Sequence, residues 1–439
     1  MSSTSTEIKP KVDSLDESKK ESSTSAVESN GESKKKATKK ADHNPRIIFT
    51  LIMMIGMLGI LYCGHIAVCI FVVICGAMIF KEILALGFVK SKAVSPSGEG
   101  VPHFRTVNWG FYFTSLYFVF GKSILHHFDE MNAPFTQHSV YKYLIRHHSF
   151  LAFSMYVVFF LAFVMTLQPG CYKFQFGAFA RSHVAIFLVL LSTNLMILNV
   201  KAGLIWFLLP CILVIVNDSF AYLVGRRYGK TMLVRVSPNK TVEGFVGGAL
   251  CTLAFAFLAA WILSQMPLYY CPKPDFTDCG FVCRVVCEKP LIFVKQPVGI
   301  PPNLLRAIRD TFGADFQVEV VPMQLHALAL AMFAAIIAPF GGFFASGLKR
   351  AFEVKDFADL IPGHGGVTDR MDCQLLMAVF TYVYTINFVQ QHAPDVAKLM
   401  AMASELSMQE QQELLVEISL SLTRKGIDVA QLISNGFQS

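Results

Sequence analysis

Charged residues are scarce in this chain. Asp, Glu, Lys and Arg make up only 16% of its 439 residues, whereas about 25% is usual in soluble globular proteins. Hydrophobic residues account for 54%. This balance excludes an ordinary soluble globular protein and indicates a protein that lies in a lipid bilayer.

A cleavable signal peptide is not expected, because about the first forty residues are polar and rich in Ser, Lys and Glu. Such a segment buries too little apolar surface to offset the entropy of ordering, so residues 1–45 are expected to be a disordered tail. The lysines at 34–36 and 39–40 precede the first apolar run and favour a cytosolic N-terminus. The net charge of +7 therefore needs no nucleic-acid partner.

Long apolar runs are abundant, and about 20 such residues suffice for one transmembrane helix. We predict an all-α, polytopic integral membrane protein with about nine transmembrane helices. They are expected at 47–63, 65–81, 107–121, 149–168, 184–200, 203–224, 244–263, 325–347 and 373–391. The predicted organisation is a cytosolic tail (1–45), N-terminal transmembrane helices (46–200), a catalytic transmembrane region (201–392) and an amphipathic helical tail (393–439).

Two polar loops, 225–243 and 346–372, are separated by two predicted spans and must therefore face the same side. The Lys and Arg residues of the first loop favour the cytosol. The loop 264–324 lies one span away and is expected in the lumen, where disulfides form. Its cysteines, 271, 279, 283 and 287, allow three disulfide pairings. Free thiols and a zinc site are the alternatives, although the spacing matches no familiar zinc-ligand pattern.

Charges of both signs surround a glycine-rich turn directly after the eighth apolar run, within SGLKRAFEVKDFADLIPGHGGVTDRMD at 346–372. Charges at a membrane edge indicate a functional site. Basic side chains suit phosphates, and carboxylates suit a hard cation such as magnesium, which usually shares its ligands with substrate phosphate. The segment therefore favours phosphoryl or nucleotidyl transfer.

The order of these residues resembles the signature of the CDP-diacylglycerol synthases, also called phosphatidate cytidylyltransferases. The resemblance extends back to about residue 210, through DSFAY at 218–222 and SPNKTVEG at 237–244. It implies an enzyme that joins CTP to phosphatidate, giving CDP-diacylglycerol and pyrophosphate. It also implies Mg²⁺ with a second metal left open, a homodimer, and an endoplasmic reticulum membrane location with the active site facing the cytosol.

The resemblance also implies the catalytic residues. These are Lys349, Arg350, Asp356, His364, Asp369, Arg370 and Asp372. Asp369 and Asp372 are expected to bind the metal, with Asp356 as a further candidate. The alternative is a solvated helix start whose carboxylates only favour the helix dipole. Bacterial relatives carry another acidic residue in a Gly-Asp-Leu step, where this chain has Gly-Gly-Phe at 341–343.

The expected substrate-binding residues come from three segments. They are Asn217, Asp218, Ser237, Lys240, Thr241, Glu243, Ser346, Gly365 and Gly366. A carboxylate central in a spanning helix costs about 2.5–3.5 kcal/mol on insertion scales, so Asp218 is expected to face a polar cavity. A hydrogen bond between helices is the alternative. The amides of Gly365 and Gly366 are expected to hold an anion, with a plain tight turn as the alternative.

The C-terminal tail has an apolar stripe, and Ser407 and Glu410 have the spacing of a capping box. Packing against the membrane domain or a partner subunit and binding at the lipid surface both remain open. Two other function classes compete with nucleotidyl transfer. An enzyme that consumes CDP-linked lipid is expected to contain an Asp-Gly pair, which this chain lacks. A transporter often contains inverted repeats, and none is evident here.

Overall fold

The computed structural model describes residues 43–94, 100–130, 133–235, 237–273, 287–297, 319–358, 360, 365–389, 400, 403–404 and 406–424. Three earlier expectations concern residues outside these ranges. They are the disordered tail up to residue 42, the site residue His364, and Cys279 and Cys283 of the cysteine loop.

Helices dominate the described residues, as the apolar runs predict. They are α1 (His43–Cys63), α2 (His65–Val94), α3 (Phe104–Glu130), α4 (Ser139–Arg146), α5 (His148–Met165), α6 (Tyr172–Ala202), α7 (Ile205–Tyr228), α8 (Val242–Leu263), α9 (Pro267–Tyr270), α10 (Pro322–Ile336), α11 (Pro339–Ala351), α12 (Thr368–Phe388) and α13 (Met408–Arg424). Short 3₁₀ turns occur at Pro134–Gln137 and Leu291–Phe293.

Six helical segments in the described part of the chain are long and apolar enough to cross a membrane. They lie in α2, α5, α6, α7, α8 and the α10–α11 pair. A helical membrane protein is therefore supported, but the predicted count of nine spans is not confirmed. The apolar part of α1 is short, at Ile48–Cys63, and α3 and α12 carry more polar side chains than the six.

Two short antiparallel hairpins interrupt the helices. Strand β1 (Met232–Val234) pairs with β2 (Ser237–Thr241), with Met232 opposite Thr241. Strand β3 (Gln296–Pro297) pairs with β4 (Glu319–Val320). Thr241 also begins α8, because its hydroxyl oxygen accepts a hydrogen bond from the amide of Gly244 at 3.2 Å. The first hairpin is thereby fixed to the start of α8.

Small residues allow α7 and α8 to pack closely. A Cβ atom on Gly244 would lie 2.6 Å from the carbonyl oxygen of Ala221, and one on Gly248 would lie 2.9 Å from the Ala221 Cβ. Larger side chains cannot occupy these positions without separating the helices. Gly244 and Gly248 thus form a small face of α8 against α7.

The long helical segment before the glycine-rich turn is divided at Pro339. The amides of Ile337 and Ala338 both bond to the carbonyl of Phe333, and Pro339 has no N–H to continue the ladder. The second part, α11, packs closely on α12, because a Cβ on Gly341 would lie 2.6 Å from the Asp372 carbonyl oxygen. The break and the glycine together set how α11 meets α12.

The cysteine loop contains a disulfide between Cys271 and Cys287. The amide of Lys273 donates to the carbonyl of Lys201 at 2.8 Å, which joins this loop to the end of α6. The prediction of disulfide chemistry in this loop is confirmed for this pair. Cys271 lies beyond the C-terminal end of α8, whereas the β1–β2 hairpin precedes the N-terminal end of that helix.

The chain divides into two compact units, Met1–Tyr382 and Val383–Ser439. In the second, the capping box at the start of α13 is confirmed. The amide of Ser407 donates to Glu410 Oε2 at 2.9 Å, and the amide of Glu410 donates to Ser407 Oγ at 3.4 Å.

Candidate active site

A cavity of about 340 Å³ lies where α7, the first hairpin, α8 and the start of α11 meet. Five of the expected substrate-binding residues line it. They are Asn217, Asp218, Ser237, Lys240 and Thr241. Arg226 adds a second basic residue to the lining. The cavity therefore combines apolar walls with charges of both signs, as an anionic lipid or nucleotide substrate requires.

Asp218 and Lys240 form an ion pair in the lining of this cavity. Lys240 Nζ lies 3.3 Å from Asp218 Oδ1, and the two side chains are 43% and 48% exposed. An ion pair this exposed contributes little to stability, about 0–1 kcal/mol. Both groups are consequently available to exchange partners when a charged ligand enters.

Asn217, one residue before Asp218, is buried and faces α8 instead of solvent. The hydroxyl of Thr252 donates to its Oδ1 at 3.4 Å. This is the contact between helices that the sequence offered as the alternative for a polar residue here. Asn217 therefore both lines the cavity and ties α7 to α8.

Glu243 stabilises the loop before the hairpin. Its carboxylate accepts hydrogen bonds from the amide of Lys230 at 3.0 Å and from the amide and hydroxyl of Thr231 at 3.2 and 2.9 Å. These bonds hold the chain between α7 and β1 against the first turn of α8. Glu243 itself is not part of the cavity lining.

Asp369 is saturated by partners from the rest of the motif. Its Oδ1 lies 2.7 Å from Lys349 Nζ, and its Oδ2 accepts from the amides of Phe357 and Gly366 at 3.0 and 3.1 Å. The Lys349 and Asp369 side chains are only 15% and 8% exposed. Asp369 therefore holds the end of α11, the following loop and the start of α12 together.

Gly365 allows this arrangement through its backbone. Its φ of +76° lies in the left-handed region, which favours glycine. A Cβ there would lie 3.2 Å from Asp369 Oδ2 and 3.5 Å from Asp356 Oδ1. The turn consequently brings Asp356 close to Asp369, as the motif spacing suggested.

Asp372 is buried against α11. Its Oδ1 accepts from the amide of Cys373 at 2.7 Å, and its Oδ2 would lie 3.4 Å from a Cβ on Gly342. Burial raises the pKa of Asp372, and its hydrogen bonds with Cys373 oppose the rise. The negative charge of Asp218 adds a smaller increase, and the positive charge of Lys349 a smaller decrease. Asp372 is therefore close enough to both residues to sense their charges.

The predicted residues thus form two neighbouring groups. The first lines the cavity around Asp218 and Lys240, and the second surrounds Asp369, with Asp372 electrically coupled to Asp218. Asp369 itself is not part of the cavity lining. Ser346 is half-buried on α11, and Arg350 and Arg370 are exposed where α11 ends and α12 begins.

No cluster of three or more His, Cys, Asp or Glu side chains arranged to hold a metal occurs within the described ranges. A metal site built from the described residues alone would therefore rest on at most two protein carboxylates. That is compatible with Mg²⁺, which usually keeps several waters and takes further oxygen ligands from substrate phosphates.

Glu82 was missed by the sequence reasoning. It lies on α2, is only 5% exposed, and accepts hydrogen bonds from the amides of Val367 and Thr368 at 2.7 and 2.8 Å. One signal was present, because a carboxylate next to an apolar run is a site hypothesis by default. The contact with Val367, which lies 285 residues away in the chain, could not be predicted from the local sequence pattern.

The sequence profile of the cytidylyltransferase family matches residues 44–388. Phosphatidate cytidylyltransferase 1 of Arabidopsis thaliana is 37% identical over 382 residues, covering 87% of each chain. The phosphatidate cytidylyltransferase of Saccharomyces cerevisiae is 38% identical and covers 89% of this chain and 83% of its own. Phosphatidate cytidylyltransferase 1 of Homo sapiens is 38% identical over 87% of this chain and 79% of its own. This chain belongs to the cytidylyltransferase family.

Proposed function

We propose that this protein is an integral-membrane phosphatidate cytidylyltransferase, which converts CTP and phosphatidate to CDP-diacylglycerol and pyrophosphate. The names and coverage of its relatives support this substrate pair. One structural observation supports it most directly: Lys240, Asp218 and Phe343 line one cavity, and Gly342, the residue before Phe343, packs against the buried carboxylate of Asp372. Three distant segments thereby contribute charge to one place, as the joining of two anions requires.

The chemistry needs little proton transfer. A phosphate monoester has a second pKa of about 6, so phosphatidate is largely a dianion at neutral pH and needs no general base. One of its phosphate oxygens attacks the α-phosphorus of CTP. The bond from that phosphorus to the oxygen bridging to the β-phosphate breaks, and pyrophosphate leaves. The main obstacle is repulsion between the two anions, so the protein must position and neutralise them.

Basic residues supply that neutralisation. In this proposal Lys240 and Arg226 bind the nucleotide phosphates in the cavity. Arg350, near the end of α11, and Arg370, at the start of α12, also contact phosphate. Lys349 is fixed by Asp369 and raises the positive potential beside Asp372. On the basis of the motif, His364 remains a proposed catalytic residue, and Ser346 and Thr241 remain proposed substrate contacts.

Magnesium is the proposed cofactor, and Asp372 and Asp218 fit it best. The negative charge of Asp218 contributes to the raised pKa of Asp372, and a cation bound near both carboxylates would relieve this like-charge repulsion. Asp369 fits less well, because Lys349 and two amides already occupy its oxygens; Asp356 lies beside it. Bound Mg²⁺ would supply charge stabilisation for the phosphate oxygens.

We further propose a homodimer in the endoplasmic reticulum membrane with the site facing the cytosol. The basic segment before α1 and the basic loop around Arg226 support this orientation. The disulfide at Cys271 supports it as well, since that loop follows the other end of α8 and disulfides persist in an oxidising lumen.

Purified protein in detergent should release pyrophosphate and form CDP-diacylglycerol when given labelled CTP, phosphatidate and Mg²⁺. Replacing Lys240 by Met should abolish most turnover, because the cavity loses one of the two basic side chains proposed to bind the nucleotide phosphates. Replacing Lys295 by Met is the matched control, since this exposed lysine lies in the loop after α8. No pyrophosphate from well-folded wild-type protein would contradict the proposal and favour a transporter or lipid-binding scaffold.

A further inference from the structure

Glu82 joins the N-terminal helices to the catalytic motif. Its Oε1 accepts from the amide of Val367 at 2.7 Å, and its Oε2 accepts from the amide of Thr368 at 2.8 Å. The residue is 5% exposed. A buried carboxylate is costly unless its oxygens are satisfied, and here each oxygen has an amide donor.

These amides belong to the N-terminal end of α12, which begins at Thr368. The first amides of a helix have no partner within it, and together with the helix dipole they attract negative charge. The preceding amide, that of Gly366, donates to Asp369. Three consecutive amides are therefore occupied by the chain's own carboxylates.

These bonds change the role expected for the turn at Gly365 and Gly366, which was predicted to hold a substrate anion. The amide of Gly366 is bonded to Asp369, and the next two amides are bonded to Glu82, so this end of the turn acts as an anchor for α12 in the described structure. The contact is tight, because a Cβ on Gly366 would lie 2.6 Å from Glu82 Oε2. Glycine at this position is thus needed for Glu82 to reach the helix.

We propose that Glu82 is a positioning residue for cytidylyl transfer. It fixes the first turn of α12, and with it the direction in which Asp372 and Arg370 are presented. Glu82 does not line the cavity, so it acts through α12 and contacts no substrate. The activity part of this inference rests on the proposed function.

The decisive variant is Glu82→Gln, which keeps the side-chain volume but places an NH₂ group against an amide donor. We expect kcat to fall by about tenfold to 100-fold, the scale expected for small misplacements of reacting groups. The KM for CTP should change much less, since Lys240 and Arg226 remain in place. Amide hydrogen exchange in a peptide covering 366–368 should accelerate, while exchange in α8 stays unchanged.

Two further variants make the test specific. Glu82→Asp keeps the charge but is too short to reach both amides, so it should also lower kcat. Glu410→Gln is the matched control, because it alters another capping carboxylate, at the start of α13; it should leave kcat unchanged.

Three results would overturn the inference. One is a wild-type kcat in Glu82→Gln. Another is a wild-type kcat in Glu82→Asp, which would mean that charge alone suffices. The third is a loss of activity that only follows a loss of folded protein, with unchanged exchange at 366–368. If the wild type makes no CDP-diacylglycerol, the proposed function fails, but the exchange experiment still tests the Glu82 contact.

Discussion

Lys349 and Asp369 form a largely buried ion pair, with 2.7 Å between Nζ and Oδ1, that joins the end of α11 to the first turn of α12. The two amides on Asp369 Oδ2 complete its hydrogen bonding. Breaking a buried pair by removing one partner leaves the other charge unsatisfied, which costs about 3–5 kcal/mol. This geometry therefore makes Asp369 a structural organiser of the site.

Asp369→Ala should accordingly destabilise the protein by about 3–5 kcal/mol, because Lys349 and two amides lose their acceptor. Thermal or denaturant unfolding in detergent measures the effect, and turnover should be lost with it. A double variant that also replaces Lys349 by Met should recover part of the stability and none of the activity. Wild-type stability in the single variant would contradict the assignment.

Asp218→Asn should lower turnover with little change in stability. Because Asp218 and Lys240 are both nearly half exposed, loss of their pair should change stability by less than about 1 kcal/mol. Turnover should nevertheless fall strongly, since the cavity loses the carboxylate that couples to Asp372. Pyrophosphate release measured beside an unfolding curve tests this, and a variant with normal turnover would remove Asp218 from the site.

The helices were predictable because long apolar runs can be satisfied only as helices in a bilayer. The ends of the helices were less predictable. The second run was expected to stop at residue 81, yet α2 continues to Val94 and thereby includes Glu82. The residues after Lys81 and Glu82 are again apolar, and the apolar segment of α2 reaches Phe88, so the charged pair interrupts the run without ending the helix.

The cavity group was predictable for a different reason. Two predicted spans separate the loops of Lys240 and Lys349, so both loops must lie on the same side of the membrane. The electrostatic effect of Asp218 and Lys349 on Asp372 agrees with that count. The contact of Glu82 with Val367 depends on tertiary packing of α2, for which neither sequence segment contains a signal. The saturation of Asp369 likewise depends on a turn geometry that spacing alone does not specify.

Gly341→Ala should displace α12, because the new methyl group would lie 2.6 Å from the backbone oxygen of Asp372. Such overpacking typically costs about 1–3 kcal/mol, and kcat should fall because Asp372 moves. Gly347→Ala is the matched control on the same helix, since its Cβ would meet nothing within 4 Å. That control should be neutral or more stable by about 0.5–1 kcal/mol, as alanine favours helix. Equal behaviour of the two variants would show that α11 does not pack on α12 as described.

Asp372→Asn should separate stability from activity. Burial raises the pKa of Asp372, so its ionised form is disfavoured in the folded protein. The free energy of unfolding is highest while Asp372 is protonated in both the folded and the unfolded state. It falls as pH rises through the raised pKa of the folded state. Without added metal, the asparagine variant should therefore be more stable than wild type at pH 7.5, and the difference should vanish near pH 3, below the usual aspartate value of about 3.9. Turnover should be abolished at every pH. Thermal unfolding at both pH values, paired with pyrophosphate release, tests both statements; a variant that is less stable at pH 7.5 would mean that Asp372 has a compensating partner, and retained turnover would remove it from the proposed magnesium site.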